Sequence, residues 1–157
     1  MKNAAQPPTR HSVASLLRNT HRLYSRGLLR LVRKAGVTTI MQWWVLRQLW
    51  TEDGQTQRSL ADRIGLFDSA IVAVLNALEA KQLIDRERNP ADRRKINIRL
   101  TAKGRRLQRQ LLPLADQINL VATRGLTEAD RSSLWGLLNQ INDNLEGYLA
   151  PGAKRTR

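Results

Sequence analysis

The chain has 157 residues, with 27 Lys and Arg against 13 Asp and Glu, a formal net charge of +14 and an isoelectric point near 11.5. An excess of that size on so short a chain points to a polyanionic partner. There is no cysteine, and His11 and His21 are the two histidines. That excludes a disulfide framework, a thiolate metal site and cysteine-based oxidant sensing, and offers nothing for structural zinc. No apolar run reaches the length of a membrane span and the amino terminus lacks the apolar core of a signal peptide, so a cytoplasmic protein is expected.

Residues 1–11 are polar, carry Pro7-Pro8 and show no periodicity, and read as a mobile arm; residues 150–157 read as a basic tail. From Ser12, Leu16, Leu17, Leu23, Tyr24, Leu28, Leu31 and Val32 recur at helical spacing, with Arg18, Arg22, Arg26, Arg30 and Arg33 on other faces. This predicts a long amphipathic helix ending near Ala35-Gly36, where Gly suits a left-handed cap. A second helix follows Thr39, with Gln42 at capping-box spacing. Its Met41, Trp43, Trp44, Val45, Leu46, Leu49 and Trp50 are apolar on almost every side, so neighbours must enclose it.

Thr56 offers an N-cap for a short helix through Leu60, Ala61 and Ile64, stopped by Gly65. Asp68 or Ser69 would cap the next helix, whose Ile71, Val74, Leu75 and Leu78 form a core stripe. The segments 84–88 and 96–100 flank an Asn89-Pro90 turn, and Ile96, Ile98 and Leu100 alternate with Lys95, Asn97 and Arg99 as a half-buried strand requires. A further helix carries Leu107, Leu111, Leu114, Ile118 and Val121, with Pro113 expected to bend it. The last helix opens at Thr127, with Asp130 at capping spacing, and presents Leu134, Leu137, Leu138, Ile141, Leu145 and Leu149.

The expected fold is mainly α with a small β-hairpin wing. A winged helix-turn-helix occupies residues 37–101, and residues 12–36 and 102–149 form a helical dimerisation region, since the first and last helices expose more apolar surface than one winged unit can cover. An intramolecular bundle is the alternative. Between Lys81 and Arg109 the cations Lys81, Arg86, Arg88, Arg93, Arg94, Lys95, Arg99, Lys103, Arg105, Arg106 and Arg109 face only Asp85, Glu87 and Asp92, so phosphates are expected there. No nucleophile with an adjacent base, phosphate loop or metal cluster is visible, so neither an enzyme nor a bound cofactor is expected.

Several stretches resemble one family: Val37-Thr38 leading to Gln42-Trp43, then Ser59-Leu60-Ala61, then residues 78–84, and above all Pro90-Ala91-Asp92-Arg93-Arg94 running to Leu100-Thr101-Ala102-Lys103-Gly104. Over residues 12–149 the chain resembles the multiple antibiotic resistance regulator (MarR) family. The resemblance implies a homodimeric winged-helix transcription factor, usually a repressor, released by a small aromatic and often anionic ligand. Such a dimer would set two recognition helices in successive major grooves roughly 34 Å apart, on a palindromic operator.

On that reading the wing places Arg93 or Arg94 in the flanking minor groove while the other pairs with Asp92. Arg58 and Ser69, at helix starts, are candidates for phosphate contacts, and Arg86, Arg88 and Lys95 for further backbone contacts. The recognition helix departs from the family, with Ala70, Val72, Ala73 and Ala77 where relatives carry polar side chains. Ser69 and Asn76 keep hydrogen-bonding groups; Asn76 can read adenine in a bidentate way, and Ala70 and Ala73 can touch thymine methyls. The resemblance also places an effector cleft where His21, Tyr24 and Arg26 approach Trp43 and Trp44, suited to an aromatic carboxylate. The alternatives are a non-specific architectural DNA binder and a protein-binding adaptor that reuses the fold.

Overall fold

The computed structural model describes residues 12–150; the expected arm at 1–11 and most of the expected tail lie outside them. Helix α1 (Val13–Val32) is capped by Ser12, whose side chain accepts from the Ser15 amide, and runs into a 3-10 turn, Arg33–Ala35, that closes on Gly36 at φ 92°. Helix α2 (Ile40–Thr51) is capped by Thr39, which accepts from the Gln42 amide. The capping box expected there is only half formed. Gln42 is buried and its Oε1 accepts from the Thr38 amide at 2.9 Å and from Lys81 Nζ at 3.1 Å, because a buried amide must find partners wherever the fold supplies them.

Helix α3 (Gln57–Ile64) has its Thr56 cap and ends at Gly65, φ 71°. Leu66 N donates to Ala61 O and Gly65 N to Asp62 O, a closure that reverses the chain in three residues. As a result α4 (Asp68–Ala80) begins earlier than expected. Phe67 occupies its N-cap without a side-chain cap bond, and Asp68 and Ser69, expected as caps, lie within the helix. Ile71, Leu75 and Leu78 are fully buried, as the stripe requires.

Strands β1 (Ile84–Arg88) and β2 (Ile96–Leu100) pair antiparallel, Ile84 opposite Leu100 and Arg88 opposite Ile96. The expected alternation along β2 fails at two places: Ile96 is exposed and Asn97 is buried. Residues 54–56 lie along the outer edge of β2, with Ile98 N donating to Gln55 O at 2.8 Å and Thr56 bridging Asn97. Asn89 Nδ2 donates to Asn97 Oδ1 at 3.0 Å, so the polar side chain is satisfied where it is covered. Helix α5 (Ala102–Ala122) contains Pro113, and α6 (Glu128–Leu149) opens on a complete Thr127–Asp130 capping box.

One core joins Leu28 and Val32 of α1, Val45, Leu46 and Leu49 of α2, Leu60, Ile71, Leu75 and Leu78 of the helix pair, Ile84 and Ile98 of the hairpin, and Leu107 and Leu111 of α5. Each such side chain stabilises the fold by roughly 1.5–3 kcal/mol relative to exposure. Two polar ties fix the hairpin end. Lys81 Nζ donates to Gly36 O at 2.7 Å, holding the end of α4 to the α1–α2 junction, and Trp50 Nε1 donates to Gly104 O at 3.0 Å. The chain forms two compact units, one ending at Ile118 and the other starting at Asn119. In the second, Leu134, Trp135, Leu137, Leu145 and Tyr148 of α6 are exposed; in the first, so are Val13, Leu16, Leu17 and Leu23 of α1. Among the described residues no helix is long and apolar enough to cross a membrane.

Candidate nucleic-acid interface

The wing tip is an ordered loop held by two short polar side chains. Asn89 Oδ1 accepts from the Ala91 and Asp92 amides, Asp92 Oδ1 accepts from the Arg94 amide at 3.1 Å, and Lys95 N and Asn89 N close the turn through backbone bonds. Asp92 also draws in two of the three tip cations, Arg94 Nε at 3.3 Å and Lys95 Nζ at 3.6 Å. These bonds, first from Arg94 and then from Lys95, hold the Asp92 carboxyl below its ordinary range. Arg93 is exposed and makes no ion pair among the described residues. The structure therefore divides the two arginines: Arg94 leans on Asp92, and Arg93 projects unpaired.

The wing is anchored from behind. Asp53 Oδ1 accepts from the Leu100 amide at 2.8 Å while its Oδ2 takes Arg105 Nη1 at 2.6 Å, and Arg99 Nε pairs with Glu87 across the strands at 2.7 Å. Gly104 packs so closely on the Leu83 carbonyl that a Cβ there would overlap it. Arg88, at the end of β1, is exposed.

Beside the wing, the outward side of α4 shows Ser69, Ala70, Val72, Ala73 and Asn76 to solvent, and Phe67 at its N-cap is 86% exposed. Phe67 was not singled out from the sequence; its place in a Gly65–Phe67 turn between two helices is the signal that finds it. Arg86, expected to add a backbone contact, is turned back onto α4. Its Nη1 donates to Glu79 Oε2 at 2.8 Å and its Nη2 to Asn76 Oδ1 at 2.7 Å, which makes it a support for α4.

Arg58, Arg94 and Lys95 come together. With Ser59, Arg63 and Ile96 they line a groove of about 680 Å³ between the first turn of α3 and the wing. Arg63 there is paired with Glu52 at 2.7 Å, while Arg58 has no acidic partner among the described residues.

The five residues expected around an effector are not gathered into one cavity. His21 and Arg26 line a shallow cavity of about 500 Å³ with Arg18, Arg22, Ser25 and Ile40; Arg26 also borders a neighbouring cavity of about 510 Å³ with Arg30 and Arg33. Trp43 lies in the core, edge-on to Trp50 at 5.7 Å, and Tyr24 and Trp44 pack partly buried against that core. Burial, and secondarily Asp116, raise the Tyr24 hydroxyl above its ordinary pKa, so it stays a neutral donor. The walls of both cavities are thus arginine-rich rather than aromatic. The ladder Arg18, Arg22, Arg26, Arg30, spaced by four with no acid anywhere on α1, was legible in the sequence; like charges at that spacing cost the helix stability.

Residues 38–96 match the MarR family model. Over 107 residues the chain is 31% identical to the HTH-type transcriptional regulator TtmR of Methylorubrum extorquens, a match taking in 68% of this chain and 54% of that protein. The chain therefore spans about half the length of that relative. Among solved structures, Bordetella bronchiseptica BpsR, whose DNA binding is regulated by 6-hydroxynicotinic acid, aligns at a TM-score of 0.76 and 26% identity over 84% of this chain and 99% of that one. PcaV of Streptomyces coelicolor, in complex with its natural ligand, aligns at 0.75 and 29% over 89% and 97%. With the family model matched across the helix pair and the hairpin, and these structures aligned over most of the chain, the chain belongs to the MarR family of winged helix-turn-helix proteins.

Proposed function

We propose that the chain is a homodimeric, sequence-specific DNA-binding transcriptional regulator, acting in the cytoplasm as a repressor of palindromic operators. The observation that carries this reading is the wing: an ordered hairpin with Arg93 unpaired at its tip, next to a groove where Arg58, Arg94 and Lys95 converge. A fixed cationic hairpin beside an exposed helix delivers charge to a duplex backbone at a set distance from the helix that enters the groove. Arg93 serves the minor groove, Arg58, Ser69, Arg88 and Lys95 serve phosphates, and Ala70, Ala73 and Asn76 face bases. Residues 12–36 and 102–149 make the dimer, supported by the exposed leucines of α1 and, separately, of α6.

The released state requires a small ligand that binds one dimer geometry better than the other. A small aromatic anion near His21 and Arg26 fits the arginine-rich walls, and 6-hydroxynicotinic acid, which regulates the DNA binding of BpsR, is a molecule of that kind. The apolar outward face of α4 favours a second reading, a protein-binding adaptor, and the net charge alone would serve an architectural DNA binder.

The test is a selection from genomic fragments with the purified protein at near-physiological salt, then a footprint of the enriched site and sedimentation of the free protein. A short palindrome protected on one duplex face by a dimer is expected. Retention of DNA without a common site would overturn the regulator in favour of the architectural binder, and weak, sequence-indifferent retention in favour of the adaptor.

A further inference from the structure

Helices α1, α2, α3 and α6 each open on a hydroxyl side chain, Ser12, Thr39, Thr56 and Thr127, that accepts from an amide of the first turn. Helix α4 breaks that pattern. Its N-cap is Phe67, with extended backbone and no side-chain cap bond, at a position where a hydroxyl or carboxylate would satisfy an amide that an aromatic ring cannot. Burial does not recover the loss, because Phe67 is 86% exposed while Leu66 before it is partly buried and Ile71, one turn on, is fully buried. Phe67 and Val72 are the exposed large apolar side chains of the helix pair among the described residues. Phe67 therefore forgoes two local gains, a cap and a place in the core, and a double departure from local rules is expected at a functional position.

Resting on the reading of α4 as the helix that enters the major groove, we propose that Phe67 is a specificity-determining residue that reads the 5-methyl group of one thymine in each half-site. A recognition helix meets base edges with its N-terminal residues, and the N-cap stands first among them. The thymine methyl is the apolar group that a base pair presents in the major groove, so contact with it is the means by which a phenyl ring tells bases apart. Ala70 and Ala73 suit that role: both are exposed, and their small side chains do not hold the helix start away from the groove floor. Charge on the same lobe favours a duplex over the apolar groove of another protein. Arg58 of α3 and Arg93 of the wing are exposed cations without an acidic partner among the described residues, and Arg94 and Lys95 stand beside Arg93 at the wing tip. A lone ring carried with such cations fits a polyanion that displays methyl groups: the cations give affinity on any sequence, and the ring adds discrimination.

The experiment starts from a random-sequence selection with the full chain and then replaces each symmetric pair of thymines in the enriched site by uracil, which removes the methyl and leaves every hydrogen-bonding atom in place. Affinities of the parent, Phe67→Ser and Phe67→Leu are measured on the thymine and uracil duplexes at one salt concentration. At one symmetric position uracil is expected to weaken the parent about fourfold per methyl, on the order of tenfold for the two half-sites together. Phe67→Ser should bind the two duplexes alike at that position, and Phe67→Leu should keep part of the difference. Because Phe67→Ser supplies the missing cap and removes an exposed ring, its melting temperature is expected at or above the parent's, which separates loss of reading from loss of fold. An enriched site without thymine, indifference of the parent to uracil at every position, or a uracil effect undiminished in Phe67→Ser would overturn this inference alone. Failure of the parent to enrich any site would overturn the regulator reading and the inference with it.

Discussion

The wing and the recognition helix lie next to each other and are built on opposite principles. The wing concentrates cations on a tip whose backbone is fixed by Asn89 and Asp92, whereas α4 turns alanines, a valine and one constrained amide outward. Charge acts on any duplex and gives affinity; side-chain hydrogen bonds to base edges give discrimination. On the proposed reading the first resource is abundant and the second is sparse on α4, where Ser69 and Asn76 are the exposed hydrogen-bonding residues of the outward side, so changes in the wing should move affinity on all sequences, and changes at α4 should move preference with little loss of affinity.

The largest effect expected from breaking that division is in the wing. Replacing Arg93 and Arg94 together by Ala should weaken operator binding by on the order of 100-fold at near-physiological salt and lower the salt slope by about 2, with oligomeric state unchanged. Titrations at several salt concentrations read both quantities; unchanged affinity would remove the wing from the mechanism. Of the single variants, Arg93→Ala should carry the greater part, because Arg94 already shares its charge with Asp92.

Next in size is Gly104→Ala, which attacks both elements at their common root. The new Cβ would displace the Leu83 carbonyl, which accepts from the Thr101 amide at the base of the hairpin. A stability loss of about 1–3 kcal/mol or more is expected in urea unfolding. Gln82, at the same joint, holds φ 58° without being glycine, so Gln82→Gly should raise stability by roughly 1 kcal/mol and leave DNA binding alone. A lower melting temperature would mean that the strained backbone is not relieved there.

Asp92→Asn should have the smallest effect at neutral pH, a few-fold gain in affinity on any sequence as a negative charge leaves the tip. Its clearer mark is in acid. Because hydrogen bonds in the folded wing depress the Asp92 pKa, the group favours the folded tip above the ordinary carboxylate range, and that contribution disappears as pH falls through the lowered value. The asparagine variant should lack this acid-side loss in a pH series of tip amide resonances.

Much of this was legible in the residues. The caps at Thr39, Thr56 and Thr127, the stop at Gly65 and the strand pair about Asn89-Pro90 are local signals, each decided within a few residues by backbone hydrogen bonding. Several of the readings that differed depended on contacts outside the element concerned. Gln42 left its capping box for Thr38 and Lys81, Asn97 was covered by the 54–56 edge, and Arg86 turned away from the expected phosphates toward Glu79 and Asn76. Periodicity also could not tell that Trp43 would face Trp50 in the core, because a helix apolar on every side gives no direction to any one face.

The sequence by itself determined the charge, the order of the helices, the winged helix-turn-helix and the family, because these follow from composition, local hydrogen bonding and a distinctive Asp92-Arg93-Arg94 hairpin. Only the tertiary structure decided which cations are already paired and which aromatics lie inside. Those outcomes rest on which groups the folded hairpin, helix pair and core bring side by side, which composition and periodicity do not specify.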